Sequence, residues 1–261
     1  KPEKLRFTVT DLQKLEELER DFDPFRTMLS EILEIPIEFA PQESYVAAAS
    51  ALQLDQLDLA LAGPSEYVVI NARTQAIPVV AITRPEYYAV LVVPADSKIQ
   101  SVEQLKGKTI AMKNVGSSSG HLGPTKLLVD AQLDPISDLK IEMLGREGSC
   151  EALLNKEVAA WGGSYTDYLE CLETGNVPES QFPILVKGRK LPADLILASR
   201  QLNPQFVDWM RDRMVENQDT LIQAIVDAEV TNKYAESEIV AAQDSDYNLI
   251  REVYQVIGEK F

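Results

Sequence analysis

An α/β layered fold organised in two blocks is expected for this chain. Three observations predict it: short apolar strands alternate with helical stretches from Leu5 onward, the same alternation restarts near Tyr87, and the 261 residues are 45% hydrophobic and 25% charged, an ordinary globular composition. Disorder does not fit these figures, and neither an internal repeat nor a low-complexity linker is seen.

In the first block, Leu5 to Thr10 reads as a strand. Asp11 to Leu33 then carries apolar residues at helical spacing: Leu15, Leu18, Phe22, Phe25, Leu29, Ile32 and Leu33. Ile35 to Phe39 is a second strand and Ser44 to Leu54 a helix. Leu57 to Ala62 is a short apolar strand ended by Gly63-Pro64, after which a helix to Arg73 takes Ser65 as its cap. Ile77 to Thr83 follows, and the β-rich run Tyr87 to Val93 opens the second block. There the expected order is a short helix at Ser101 to Leu105, strand Thr109 to Met112, helix Gly120 to Ala131, strand Lys140 to Met143, helix Ser149 to Asn155 and a strand near Val158 to Trp161. The tail from Asn203 to Phe261 reads as mostly helical, with a turn at Asn203-Pro204. Two blocks without a Gly/Ser linker predict two lobes joined by extended crossing segments, with a ligand cleft between them.

Charge and composition narrow the function. The formal net charge of -16 repels nucleic acid and anionic membrane, and no basic patch is present to bind a polyanion. A small anion is still allowed, because surface charge is screened over about 8 Å at physiological salt while an enclosed site responds to its own donors. One histidine, His121, and two cysteines, Cys150 and Cys171, make no metal-type cluster, so neither a metal nor another cofactor is expected. Both cysteines sit in apolar-flanked segments; two buried free thiols are expected, with pairing in an oxidising compartment as the alternative. No run reaches the roughly 18 consecutive apolar residues of a membrane span. Lys1 to Phe7 lacks the regions of a signal peptide, as in a cytosolic protein or one whose leader has been removed.

The chemistry concentrates in Gly116 to Pro124, GSSSGHLGP, between a strand and a helix. Serines 117, 118 and 119 stand at or just before a helix N-terminus, where unpaired N–H groups and the macrodipole favour an anion and the hydroxyls add donors. Gly116 and Gly120 permit close backbone approach. A plain serine-rich turn with one N-cap is the competing reading. The loop lacks the Gly-Lys-Ser/Thr ending of an ATP-hydrolysing P-loop. A hydrolase with Ser119 as nucleophile and His121 as base lacks the G-x-S-x-G elbow.

GSSSGHLGP resembles the G-S-T-S-G-x-L-x-P loop of the phosphonate and phosphite binding proteins of ABC importers, and further segments agree in the same order. LDLALAGPSEYVV (Leu57 to Val69) is similar to VDLAWLGPLSYV of that family, EYYAVLVVPADS (Glu86 to Ser97) to GYWSVLVVNKDS, and SVEQLKGK (Ser101 to Lys108) to S-L-x-D-L-K-G-K. The resemblance spans roughly Leu5 to Ser199. It implies a class II periplasmic-binding-protein fold whose two lobes close on the anion, with one lobe from residues 1–86 and 195–261 and the other from 87–194. It also implies capture of phosphite, methylphosphonate or phosphate without bond chemistry, a membrane ABC permease as partner, a monomer, and a periplasmic or lipid-anchored extracytoplasmic mature form.

By the same resemblance Ser117, Ser118, Ser119 and His121 lie at the ligand, Tyr45 and Tyr87 donate hydroxyls from the other side of the cleft, and Asp194 in LPADLIL matches an aspartate of IPGDPI. Three departures stand out: Gly145-Arg146 replaces Gly-His, so that Arg146 offers a bidentate cation; Thr166, beside Asp167, replaces an amine-binding glutamate; and Val158-Ala159-Ala160 replaces VDA. Loss of that glutamate points to the smaller ligands, phosphite first and methylphosphonate second. An ionised Asp194 can only accept a hydrogen bond, which implies a protonated ligand and rejection of sulfate. The alternatives are an enzyme on the same fold, acting on a small anionic metabolite through His121 or Asp194, and the ligand-binding module of a sensor.

Overall fold

A computed structural model describes residues 1–228 and 232–259. Along the chain run β1 (Leu5–Val9), α1 (Leu15–Leu33), β2 (Ile37–Phe39), α2 (Tyr45–Gln53), β3 (Leu59–Ala62), α3 (Pro64–Thr74), β4 (Ile77–Ile82), β5 (Tyr88–Val92), β6 (Thr109–Met112), α4 (Gly123–Asp130), β7 (Lys140–Met143), α5 (Gly145–Leu154), β8 (Ala160–Ser164), α6 (Tyr165–Gly175), β9 (Ile184–Lys190), β10 (Asp194–Ala198), α7 (Pro204–Glu216), α8 (Gln218–Val226), β11 (Ile239–Ala241) and α9 (Asn248–Val256). They form two compact units. The first comprises Lys1–Pro85 and Pro192–Asn248; the second comprises Glu86–Leu191 and Leu249–Lys260.

These boundaries differ from the expected ones in three places, the first being Glu86, which falls in the second unit. Asp194 and the start of β10 belong to the first unit, because β10 pairs with β3 and β4. The final helix belongs to the second unit rather than the first: Leu249 packs on the cluster of Tyr87, Ala89 and Leu191, and Glu252 lies 3.6 Å from Lys126.

The first unit is built on a six-stranded sheet of order β11-β4-β10-β3-β1-β2. Its β2, β1 and β3 are parallel, whereas β10, β4 and β11 are antiparallel neighbours. Every residue of β3 and β10 is buried, which explains why LALA and DLILA show no polar alternation: both faces of the sheet are covered. Apart from Leu15, which is exposed, the helical stripe read from the sequence is the buried face of α1, where Leu18, Phe22, Phe25, Leu29 and Leu33 join Phe7, Leu59, Met210 and Leu221 in one core.

The second unit has a five-stranded sheet of order β7-β6-β8-β5-β9. Its β7, β6 and β8 are parallel, and β5 runs antiparallel to β8 and β9. Alternate residues feed two separate cores, one on each face. Val90, Val92, Ala111 and Trp161 pack with Ala152, Tyr168 and Phe182; Leu91, Val93, Ile110, Met112 and Ala160 pack with Leu105 and Leu128.

Several local expectations are corrected. The helix after Gly63-Pro64 is capped from Gly63 with Pro64 at its first turn, not from Ser65; the Glu66 Oε2 accepts the Gly63 N–H at 3.1 Å. Asn203 does more than mark a turn: its Oδ1 accepts from the N–H groups of Gln205 at 2.9 Å and Phe206 at 3.3 Å and so starts α7. Within the tail read as mostly helical, Ile239 to Ala241 pairs with β4 as a strand; residues 229–231 and 260–261 of that tail lie outside the described residues.

Cys150 and Cys171 are not free thiols. They form a disulfide between α5 and α6, with Cα atoms 5.7 Å apart. The two helices lie on the same face of β8, against Trp161 and Tyr168, a proximity that sequence spacing does not reveal. Replacing both cysteines by serine is expected to lower unfolding free energy by about 3 kcal/mol, as for a loop of this size. Urea unfolding of the native protein with and without reductant should show the same loss, with no further effect of reductant on the double variant.

Candidate functional site

Parallel strands need a crossover, so each carboxyl end of a parallel strand is followed by a helix start. In the second unit three such starts collect at one edge of the sheet: the serine turn after β6, Gly145-Arg146 after β7, and Ser164 to Asp167 after β8. The serine turn is a π-helical turn, Ser118–Leu122, that runs directly into α4. Ser117 is its cap, its Oγ accepting the Gly120 N–H at 3.1 Å while its carbonyl accepts from His121 at 3.0 Å and Leu122 at 2.9 Å. As the start of a helix, the turn presents N–H groups that the helix itself does not engage.

Glycines make this turn possible. Gly116 has a φ of +81°, the left-handed region that glycine occupies without strain. A Cβ on Gly120 would come within 2.4 Å of the Lys113 Cβ, so only glycine lets the turn lie against the end of β6.

Ser118, Ser119 and His121 are 7%, 8% and 7% exposed. The Nδ1 of His121 accepts the Gly116 N–H at 3.1 Å, which requires that nitrogen to be unprotonated. Burial holds the imidazole below its ordinary pKa, so His121 is neutral at pH 7 and fastens the loop. In this arrangement it is a positioning residue of the turn.

Arg146 and Tyr87 stand differently from expectation. Arg146 is 52% exposed and pairs with Asp167 at 2.9 Å and with Glu170, so its charge is committed to carboxylates of α6. Lys113 reaches the other oxygen of Asp167 at 3.7 Å; this cation at the end of β6 was not singled out from the sequence. Tyr87 is 3% exposed and lies in the same unit as the serines, not opposite them, packed with Ala89 and Leu191.

The first unit repeats the topological logic. Here β1, β2 and β3 end next to the starts of α1, α2 and α3. Tyr45 is the half-buried first residue of α2, whose cap Ser44 accepts the Ala47 N–H at 3.1 Å. Beside the ends of β1 and β3 lies a cavity of about 190 Å³ whose lining includes Asp11, Gly63, Asp194, Lys233 and Tyr234.

Asp194 is buried, and its Oδ2 accepts from Tyr234 Oη at 2.7 Å and Lys233 Nζ at 3.1 Å. Burial pushes its pKa up, but the charges of Lys233 and Arg84 and these hydrogen bonds outweigh burial and hold it below the usual carboxylate range. Asp194 is thus an ionised, already partnered carboxylate. The burial of Tyr234, the charge of Asp194 and their hydrogen bond raise the phenol well above its ordinary range.

Next to it, Glu66 accepts hydrogen bonds from the Thr10 hydroxyl and the Gly63 N–H. Burial, then the charge of Asp11, pushes its pKa to about 7 despite those bonds. Among the described residues no group of three or more His, Cys, Asp or Glu is placed to hold a metal ion, and no helix is long and apolar enough to cross a membrane.

The Glu66 shift carries a stability signature. A carboxyl whose folded pKa exceeds its unfolded value binds more protons when folded, so stability falls as pH rises from about 4.5 to about 7, by at most about 1.4 kcal/mol per pH unit. Glu66→Gln keeps the cap acceptor and removes the titration. The difference in unfolding free energy between wild type and variant should therefore shrink or reverse in the wild type's disfavour across that range; urea midpoints at several pH values measure it, and a constant difference would contradict the assignment.

The comparisons agree with this architecture. The family model described as ABC transporter, phosphonate, periplasmic substrate-binding protein matches residues 7–247. The phosphate-import protein PhnD of Mycolicibacterium smegmatis is 22% identical over 284 residues, covering 99% of this chain and 87% of that one. PhnD1 of Prochlorococcus marinus in complex with methylphosphonate has a TM-score of 0.69 at 17% identity, with all of both chains covered. A Xanthomonas citri protein bound to ATP reaches a TM-score of 0.75 at 15% identity over 98% of each chain. The fold is that of the two-lobed periplasmic binding proteins, and the chain belongs to the family of periplasmic substrate-binding proteins of phosphonate ABC transporters.

Proposed function

We propose that the chain captures a small phosphorus oxyanion, with phosphite first and methylphosphonate or phosphate next, and delivers it to a membrane ABC permease. The observation that carries this reading is the buried serine turn at the start of α4, where hydroxyls and helix-start N–H groups converge at the carboxyl edge of three parallel strands. Ser118 and Ser119 bind the anion, Ser117 and His121 hold the turn that presents them, and Tyr45 is a further hydroxyl donor by the family resemblance. Tyr87 sits within the second unit's apolar cluster, packed with Ala89 and Leu191. Arg146, already paired with Asp167 and Glu170, adds positive potential rather than a direct bidentate contact.

Donor arithmetic is consistent with useful affinity. A micromolar dissociation constant corresponds to about -8 kcal/mol, and each charge-assisted hydrogen bond contributes roughly 1.5 to 3 kcal/mol before association costs. Several convergent donors are required, and the serine turn concentrates them without importing a cation. The cargo is bound and released, not transformed, and the mature protein works as a monomer outside the cytoplasmic membrane, in the periplasm or on a lipid anchor. Nucleic acid is not a partner.

Isothermal titration of ligand-stripped protein with phosphite, methylphosphonate, phosphate and ATP tests the reading. Micromolar or tighter binding of one of the first three is expected. Ser118→Ala with Ser119→Ala should weaken it by about 100-fold, the loss of two hydrogen bonds of about 1.4 kcal/mol each. Binding of ATP alone would shift the function to a larger phosphate ester, and turnover of any of these compounds would favour the enzyme alternative.

A further inference from the structure

The serine turn has no charge of its own: from Ser117 to Leu122 its side chains are three hydroxyls, a neutral His121 and a leucine. A cation nevertheless lies against it within the same unit. Lys113, the residue after β6, donates its N–H to the Gly120 carbonyl at 2.9 Å, and its own carbonyl accepts the Gly145 N–H at 2.8 Å. Its backbone is thereby fixed between the turn and the start of α5. The side chain follows the turn as well, since a Cβ on Gly120 would lie 2.4 Å from the Lys113 Cβ and 2.9 Å from its Cδ. The ammonium is two bonds beyond that Cδ, so it stands within about 7 Å of the Gly120 Cα, inside the roughly 8 Å over which physiological salt screens a charge.

That ammonium faces one oxygen of Asp167 at 3.7 Å, while Arg146 stands nearer the other at 2.9 Å. A separation of 3.7 Å is an ion pair without a hydrogen bond, so the N–H groups of Lys113 are not committed to Asp167. Lys113 and Asp167 are 27% and 12% exposed, sheltered enough for their charges to be felt at the turn. The chain as a whole carries -16, so an oxyanion approaches against a repulsive field and its retention depends on the charge close to the donors.

We propose that Lys113 is an affinity-determining residue of the oxyanion site, its charge held against the serine turn by the end of β6, with Asp167 opposing it. The proposal rests on the reading of the serine turn as the anion-binding element. Lys113 and Asp167 act on a bound anion with opposite sign, whereas a pair that only braced the edge of the sheet would be needed whole and would give losses of the same sign.

Isothermal titration of the full chain with phosphite, phosphate and methylphosphonate, at about 0.02 M and about 0.3 M ionic strength, tests this on wild type, Lys113→Met, Lys113→Arg and Asp167→Asn. Lys113→Met keeps an apolar stem against Gly120 and should lose about five- to tenfold in affinity at the lower salt, a loss that shrinks at the higher. Lys113→Arg should lie closer to wild type than Lys113→Met. Asp167→Asn should bind about two- to fivefold more tightly than wild type; it leaves Lys113 in place, so its sign tests the proposal even where Lys113→Met fails to fold. Binding by Lys113→Met within about twofold of wild type at the lower salt overturns the assignment, as does weakening of Asp167→Asn. The functional reading survives either result as long as Ser118→Ala with Ser119→Ala still weakens binding. If wild type binds none of the three anions, the functional reading fails and the Lys113 assignment fails with it.

Discussion

The molecule depends on a constraint of sheet chemistry: a parallel strand cannot return by a tight turn, so every parallel strand here hands the chain to a helix at its carboxyl end. In the second unit this places three helix starts along one edge, and in the first unit it places the ends of β1, β2 and β3 beside α1, α2 and α3. Helix starts carry unsatisfied N–H groups whether or not a ligand is wanted. The sheet therefore decides where donors accumulate, and sequence then decides which side chains join them. Serines after β6 make one such edge rich in hydroxyls. Asp194 enters the first unit's edge on an antiparallel strand, pairing beside the end of β3.

The two edges are electrostatically unlike. The second unit keeps its serine turn free of carboxylates, with Asp167 tied to Arg146 and Lys113 a few residues away in the fold. The first unit buries carboxyls and manages them individually: Asp194 is ionised by its cationic neighbours, whereas Glu66 is held near neutrality by burial and by Asp11. Two carboxyls of the first unit are thus shifted in opposite directions because their partners differ. His121 shows the same principle from the basic side, remaining neutral because burial and its accepted hydrogen bond both disfavour the imidazolium.

Much of this was legible in the sequence where periodicity is local. The stripe from Leu18 to Leu33 became the buried face of α1, whereas Leu15 stays exposed, and β6 and β7 match their expected spans residue for residue. The serine turn was legible because a cap, flexible glycines and a following apolar helix are adjacent in sequence. What escaped was created by distant contacts. Lys233 meets Asp194 across 39 positions, and Cys150 meets Cys171 only because two helices pack on the same strand. β10 escaped as a strand because DLILA is buried on both faces and shows no alternation to read. Ser65 was taken as a cap on residue type, while the geometry assigns that role to Gly63 with Glu66.

The order of strands in the first sheet has a consequence for biosynthesis. β4 pairs only with β10 and β11, and β3 needs β10 as its second neighbour, yet β10 and β11 follow the whole of Glu86–Leu191 in the chain. During translation the inserted unit can complete its sheet while the first unit still lacks two of its six strands and exposes the apolar edges of β3 and β4. The amino-terminal third of the chain consequently keeps an unfinished sheet until β10 and β11 have been added.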